Sequence, residues 1–114
     1  MRKMGKSIKD ALRGLTLGFA SGRNMLIALA AMVAVLVTGV MLNFAACHWV
    51  AVVICYIAVI SLELFNTAIE KLCDLVEPNL NSKIRYVKDM TAGAVLWACI
   101  GALAIFIIIL GDVL

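Results

Sequence analysis

The stretch YIAVISLELFNTAIEKLCDLV, residues 56–76, decides the fold, because it combines the apolar composition of a membrane span with acidic side chains. A carboxylate in hydrocarbon costs about 2.5–3.5 kcal/mol even on lenient insertion scales, so intramembrane acids are rare and usually functional. At about 100° per helical residue, four polar side chains fall within roughly 80° of one another: Glu63, Asn66, Glu70 and Asp74. We therefore expect one polar stripe to run down an otherwise apolar helix.

The composition of the whole chain extends this interpretation to an integral membrane protein. Of the 114 residues, 65% are hydrophobic and the mean hydropathy is +1.09, whereas soluble proteins are about 45–50% apolar. The length predicts a single membrane domain, residues 1–114. The net charge of +3 gives no argument for nucleic acid as a partner, since the cations flank the apolar runs and form no soluble patch.

Three apolar runs predict transmembrane helices at residues 25–47, 49–77 and 90–110, each close to or above the roughly 20 residues that a span needs. Pro78 ends the second run, because proline lacks the backbone N–H of a helix interior. No signal-peptide cleavage pattern precedes the first run, so we expect the first span in the mature protein. The predicted fold class is therefore all-α, with three transmembrane helices.

Residues 1–22 carry a different pattern, with apolar side chains on one helical face and basic side chains on the opposite face. A basic amphipathic helix of this kind lies in the membrane interface, although packing on a soluble partner is an alternative. Six of the 10 basic residues precede the first span, and the other four lie within residues 71–88. This asymmetry predicts a multi-pass protein of the cytoplasmic membrane, with the N-terminus and residues 71–88 on the cytoplasmic side.

Two features predict how the helices associate. Ala94, Ala98 and Ala102 recur with the small-xxx-small spacing that lets helices approach closely. Three spans can cover few polar faces by themselves, so we expect the acidic stripe to face another subunit and the chain to form a homo-oligomer. The four cysteines show neither metal-binding nor disulfide spacing, and His48 beside Trp49 is typical of a membrane–water interface.

The acids are expected at two depths. At about 1.5 Å rise per residue, Glu63 lies about 21 Å and Glu70 about 32 Å from Trp49 along the helix, across hydrocarbon that is roughly 30 Å thick. Glu63 then falls in the acyl region, where it can act as a general base on a lipid-borne hydroxyl. Glu70 and Asp74 fall at the cytoplasmic boundary, where carboxylates can hold a cation such as Mg²⁺.

Further polar residues complete this arrangement. Lys88 returns to the same boundary and can neutralise phosphate, and Asn66 can orient a hydroxyl or a carboxylate. A lipid alcohol and a water-borne nucleotide would then meet for phosphoryl transfer. No Walker-type phosphate loop is present, so side chains of several helices would have to bind the nucleotide. The residues alone leave two alternatives open, a proton or ion pathway and a purely structural role.

The segment ELFNTAIEK, residues 63–71, resembles the signature of the prokaryotic diacylglycerol kinase family. The family pattern is E-x-x-N-[ST]-A-I-E, followed by an aspartate, here Asp74, and by a K-D pair at the start of the last span, here Lys88 and Asp89. The resemblance covers essentially the whole chain. It implies a small homotrimeric membrane kinase that uses Mg²⁺ and ATP to phosphorylate a lipid alcohol, undecaprenol or diacylglycerol, at active sites shared between subunits. The segment FNTAIEKLCDLV is more similar to the undecaprenol kinase branch.

The same resemblance implies a role for each site residue. Glu63 corresponds to the catalytic base of the family, and Asn66 lines the catalytic site beside it. Glu70 corresponds to a metal ligand. The nucleotide-binding residues are expected to be Asp74, Lys88 and Asp89.

One position departs from the family pattern. Many members carry E-R-N ahead of the first span, and its glutamate is a second metal ligand, whereas this chain has Gly22-Arg23-Asn24. The loss of a carboxylate is expected to weaken metal and nucleotide binding, so a weakened or inactive kinase is also an open interpretation. If the family's metal geometry is retained, Gly22→Glu should tighten Mg-ATP binding, and a Glu70→Gln background should abolish the gain.

Overall fold

The computed structural model describes residues 2–79 and 81–114, and within them the chain forms four helices and no strand. The helices are α1 (Arg2–Phe19), α2 (Arg23–Met41), α3 (Ala46–Val76) and α4 (Ser82–Val113). The last three are long and apolar enough to cross a membrane. The predicted all-α class with three membrane spans is therefore confirmed. Met1, at the start of the predicted surface helix, lies outside the described residues, as does Leu80 in the loop before α4.

Helix α1 has the amphipathic character that its sequence predicts. Its apolar side chains, such as Met4, Ile8 and Leu12, are exposed, so the rest of the chain does not cover this face. A membrane interface offers the cover that an amphipathic helix of this kind needs.

Helices α3 and α4 form an antiparallel pair, which is the central packing unit of the molecule. Polar contacts at both ends fix the pairing, with His48 Nε2 2.7 Å from Asp112 Oδ2 and Lys88 Nζ donating to Asp74 Oδ1 at 2.6 Å. Helix α2 packs on α3, where the Tyr56 hydroxyl donates to a backbone carbonyl of α2 at 2.7 Å. The shortest dimension of the molecule is 19 Å, so its helices lie in a thin layer with large apolar faces left exposed.

The turn between α2 and α3 differs from the sequence prediction. The first span was expected to continue to Cys47, but α2 ends at Met41 and α3 begins at Ala46. The Asn43 backbone is left-handed with φ 54°, and the backbone N–H of Phe44 donates to the carbonyl of Gly39 at 2.9 Å. This Schellman arrangement stops a helix without any polar run. Hydropathy did not place this helix end, because Asn43 is a single polar residue between apolar neighbours.

Close packing fixes the same turn. A side chain at Gly39 would meet Trp49 Cη2 at 2.5 Å and Phe44 Cδ2 at 2.9 Å, so only glycine allows these rings to pack on α2. Phe44 then joins Val52 and Ile109 in the buried apolar cluster of the three membrane helices.

Helix α4 begins well before the apolar run that predicted it. The span was expected from residue 90, but the helix starts at Ser82, where the Asn81 side chain caps it by accepting from the backbone N–H of Ile84 at 2.9 Å. An Asn side chain is a favoured N-cap because it satisfies one of the free N–H groups of the first turn. Lys88 and Asp89 consequently lie inside a helix, on a rigid extension of the third span.

The end of helix α1 packs closely against α3. A Cβ atom added to Gly18 would collide with the Leu64 side chain, so the end of α1 is seated against the helical turn that contains Glu63. The contact places the surface helix beside the polar stripe of α3.

We predict that Gly18→Ala loosens the end of α1, because the added methyl group must displace Leu64. Gly14, also in α1, has open space around it, and Gly14→Ala is the matched control that gains helix propensity of up to about 1 kcal/mol. Amide hydrogen exchange should become faster over the last turns of α1 in Gly18→Ala and slower in Gly14→Ala. The double variant Gly18→Ala/Leu64→Ala should restore the protection of these amides against exchange. Equal slowing in both single variants would contradict the proposed contact.

Candidate active site

Two cavities meet on the face of α3 that carries the polar stripe. A polar pocket of about 270 Å³ lies between the α1–α2 junction and the C-terminal half of α3, the half that is expected to lie towards the cytoplasm. An apolar groove of about 380 Å³ runs between α2, α3 and α4. Asn24, in the first turn of α2, lines both cavities. The polar cavity and the apolar cavity are thus adjacent at Asn24.

Glu63 stands at the end of the apolar groove. It is only 7% exposed and lines the groove together with apolar residues one helical turn away, such as Val59 and Ile60. Within the described residues, no ion pair or hydrogen bond involves its carboxylate. A buried carboxylate that faces an apolar groove is available to a hydroxyl group that arrives through that groove.

Asn66 stands in the polar pocket, one turn further along α3. It is 5% exposed, and its Nδ2 donates to Glu70 Oε1 at 3.4 Å, a long contact. Its Oδ1 is buried and has no hydrogen-bond partner in the described part of the chain. The amide therefore contacts Glu70 through one atom and leaves an acceptor free at the other.

Asp74 and Lys88 pair at the far end of the polar pocket. Asp74 lines the pocket, and the 2.6 Å contact with Lys88 Nζ brings the α4 lysine to its edge. Asp89 lies elsewhere: it is exposed, it lines neither cavity, and its Oδ2 is 3.8 Å from Arg85 Nε. The structure thus brings Asn66, Glu70 and Asp74 together and adds Lys88, but this single chain leaves Asp89 outside.

The α1–α2 junction forms the wall of the polar pocket that sequence patterns missed. Residues 21–25 line the pocket, and among them only Gly22 was identified, through the family resemblance. Met25 is almost completely buried and fixes the start of α2. Asn24 carried a signal that was available, an amide side chain in the first turn of an apolar span. The first N–H groups of α2 have no partner within the helix, so this wall also presents the positive end of a helix dipole.

Gly22 has room for a side chain but not the backbone for one. No atom lies within 4 Å of a Cβ added there. Its φ of 148° and ψ of −165°, however, belong to a region that is essentially restricted to glycine. A glutamate at position 22 would therefore strain this backbone, and the expectation that Gly22→Glu tightens Mg-ATP binding stays a prediction.

The donor set of the site is short of carboxylates. Among the described residues, no three His, Cys, Asp or Glu side chains converge on a point that could hold a metal ion. Any divalent cation at Glu70 needs amide, water or phosphate oxygens to complete its shell.

The fold and the site define a class of small membrane enzymes. The family described as Prokaryotic diacylglycerol kinase matches residues 9–110, so the chain belongs to this family. The chain is also similar to the undecaprenol kinase of Bacillus subtilis (strain 168), at 32% identity over 111 residues, which cover 94% of this chain and 90% of that protein. The chain is therefore a lipid kinase built as a multi-pass membrane protein, as its signature segment predicted.

We predict that Gly22→Ala lowers stability, because an L-residue in this backbone region costs about 1–3 kcal/mol. Gly101 lies in α4 with open space around it, so Gly101→Ala is the matched control and should gain up to about 1 kcal/mol from helix propensity. The free energy of unfolding in mixed detergent micelles gives both values. A Gly22→Ala variant as stable as Gly101→Ala would show that position 22 does not need glycine.

Proposed function

We propose that this lipid kinase transfers the γ-phosphate of ATP to the hydroxyl of a polyprenyl alcohol of the undecaprenol type, with Glu63 as the general base. The observation that carries the proposal is the meeting of the two cavities, the apolar one ending at Glu63 and the polar one containing Asn66 and Glu70. A reaction between a bilayer lipid and a water-borne nucleotide requires such a junction. The relative from Bacillus subtilis, named as an undecaprenol kinase, supports the choice of lipid.

The apolar groove supports the lipid half of the reaction. From Glu63 to Val52, the groove follows α3 for about 17 Å at about 1.5 Å per residue, and its lining is almost entirely apolar. A single isoprenoid chain lying there would place its terminal hydroxyl at Glu63. Diacylglycerol, with two acyl chains, is the alternative substrate, and its second chain would have to lie outside the groove.

The polar pocket supports the nucleotide half. The N-terminus of α2 offers free N–H groups and a partial positive charge to phosphate oxygens. Lys88 is held at the edge of the pocket by Asp74 and can turn toward the phosphates as a point charge. We propose that Asp74, Lys88 and Asp89 contact the nucleotide. Asp89 reaches it only if the Arg85 contact is released or a second subunit completes the pocket.

The side chains in the polar pocket fit Mg²⁺. The carboxylate of Glu70 and the unpartnered amide oxygen of Asn66 are hard oxygen donors, the type that Mg²⁺ takes. Mg²⁺ usually uses one or two carboxylates and completes its shell with water and phosphate, which agrees with the shortage of acids. When bound, the ion neutralises charge on the phosphate oxygens.

The chain's own residues then account for the transfer. Glu63 accepts the proton of the lipid hydroxyl as the lipid oxygen forms its bond to the γ-phosphorus, and the bond to ADP breaks. Asn66 positions Glu70, and Lys88 offsets charge on the phosphates. The reaction needs no covalent intermediate on the protein, because positioning and electrostatic stabilisation carry most of the catalysis in phosphoryl transfer.

We further propose a homotrimer with a cytoplasmic N-terminus. The clustering of basic residues before the first span and between the second and third supports the orientation. At about 1.5 Å per residue, the 31 residues of α3 span about 46 Å, more than the roughly 30 Å of hydrocarbon, so its acidic end can protrude into water. Exposed apolar faces on every membrane helix leave ample surface for partner subunits and lipid.

We predict that Glu63→Gln lowers the rate of phosphate transfer by at least about 100-fold, the scale of a lost general base, with nucleotide affinity unchanged. Glu77→Gln makes the same chemical change just beyond the end of α3, away from both cavities, and should retain the rate. The assay follows labelled phosphate from ATP into undecaprenol and diacylglycerol side by side.

A Glu63→Gln variant that keeps most of its rate would show that this carboxylate is not the base. Substrate-independent ion flux in liposomes that depends on Glu63 would instead favour the proton or ion pathway.

A further inference from the structure

Asn66 carries a buried side-chain oxygen without a partner in the polar pocket. Within the described residues, Asn66 Oδ1 is the sole buried side-chain nitrogen or oxygen that lacks a hydrogen-bond partner. Leaving a buried acceptor unpaired costs free energy, and native proteins keep few such groups, which mark strain, a catalytic role, or a bound water or ion. The location, in a pocket lined also by Glu70 and Asp74, indicates a ligand that accepts electron pairs.

A hydrogen-bond donor on the lipid is a poorer match for this oxygen than a cation. Asn66 lines the polar pocket and is absent from the lining of the apolar groove, whereas Glu63 lines the groove and is absent from the polar pocket. Asn66 and Glu70 are four residues apart on α3, so their side chains lie on the same face. The Nδ2 contact to Glu70 Oε1 keeps the amide oxygen and the carboxylate in one pocket.

Gly22 lines the polar pocket without adding a polar side chain to it. Its backbone conformation is restricted to glycine, so the α1–α2 junction supplies no carboxylate to the pocket. Amide carbonyl oxygens of Asn are ordinary ligands of hard divalent cations. The unpartnered oxygen of Asn66 belongs to a neutral side chain that lines the same pocket as Glu70 and contacts it through Nδ2.

We propose that Asn66 binds the divalent cation directly through Oδ1, beside the Glu70 carboxylate, and so takes the place of the acidic ligand that the α1–α2 junction lacks. The assignment rests on the proposed kinase function. Because the pair carries one negative charge fewer than two carboxylates, water and nucleotide phosphate must supply the remaining ligands. The cation should therefore bind weakly to the free protein and much more tightly in the presence of a nucleotide.

The effect of a single substitution on Mn²⁺ affinity tests the assignment. Mn²⁺ binding to the full chain in detergent micelles is followed by the electron paramagnetic resonance signal of free Mn²⁺, without lipid, and with or without a non-hydrolysable ATP analogue. Asn66→Asp keeps an oxygen at the position but loses the Nδ2 donor to Glu70. If the oxygen is a ligand, Mn²⁺ affinity should rise about tenfold or more. If Asn66 only positions Glu70, the affinity should rise no more than it does when the same charge is placed elsewhere in the pocket.

Added charge by itself needs a control in the same pocket. Thr67 is the neighbour of Asn66 and also lines the polar pocket, so Thr67→Asp adds the same charge at a different point. Asn66→Leu has a similar volume and removes the oxygen, and it should weaken Mn²⁺ binding about tenfold. Circular dichroism and gel filtration check that each variant is folded. If Asn66→Leu does not fold, the comparison of Mn²⁺ affinity between Asn66→Asp and Thr67→Asp is the deciding test.

Equal affinities in Asn66→Asp and Thr67→Asp, or unchanged affinity in Asn66→Leu, would overturn the assignment. Phosphate transfer by the wild-type chain is measured on the same preparation. If the wild-type chain transfers phosphate but Asn66→Asp leaves Mn²⁺ affinity unchanged, only the ligand role of Asn66 is overturned. Absence of transfer to any lipid alcohol overturns the proposed kinase function, whatever the Mn²⁺ result.

Discussion

The burial of a carboxylate and an amide on one apolar helix is the constraint on which the rest of the structure depends. Glu63 and Asn66 are the buried polar side chains of α3, and hydrocarbon offers neither of them a partner. The fold surrounds them instead. The end of α1 packs beside Glu63 at Leu64, the first turn of α2 covers the polar pocket, and α4 brings Lys88 to Asp74. The small apolar cluster at the other end of the spans serves mainly to hold these helices in register.

Much of this arrangement could be predicted from the sequence, because hydropathy and polar periodicity report directly on membrane spans and helix faces. The count of spans, the surface helix, and the common face of Asn66, Glu70 and Asp74 followed from these two patterns. Helix ends could not be predicted in the same way. The Schellman turn at Asn43 is made by backbone geometry within an apolar run, and the start of α4 at Ser82 is set by a local cap.

The part of the site on the α1–α2 junction could not be predicted from the sequence, for a different reason. Asn24 and Met25 reach the pocket only because α2 folds back onto α3, and no local pattern records a tertiary contact. The φ of Gly22 is equally invisible in the sequence. Position 22 therefore differs from the family pattern in its missing carboxylate, and its backbone in this chain is one that favours glycine.

In the proposed reaction, a bilayer lipid and a nucleotide meet where the apolar groove and the polar pocket adjoin. The most direct measurement is the transfer of labelled γ-phosphate from ATP to lipid by the purified wild-type chain, with undecaprenol and diacylglycerol offered together and with Mg²⁺ present or chelated. We predict labelled polyprenyl phosphate, and we predict that the label disappears when Mg²⁺ is chelated. If folded protein labels neither undecaprenol nor diacylglycerol, the proposed reaction is contradicted.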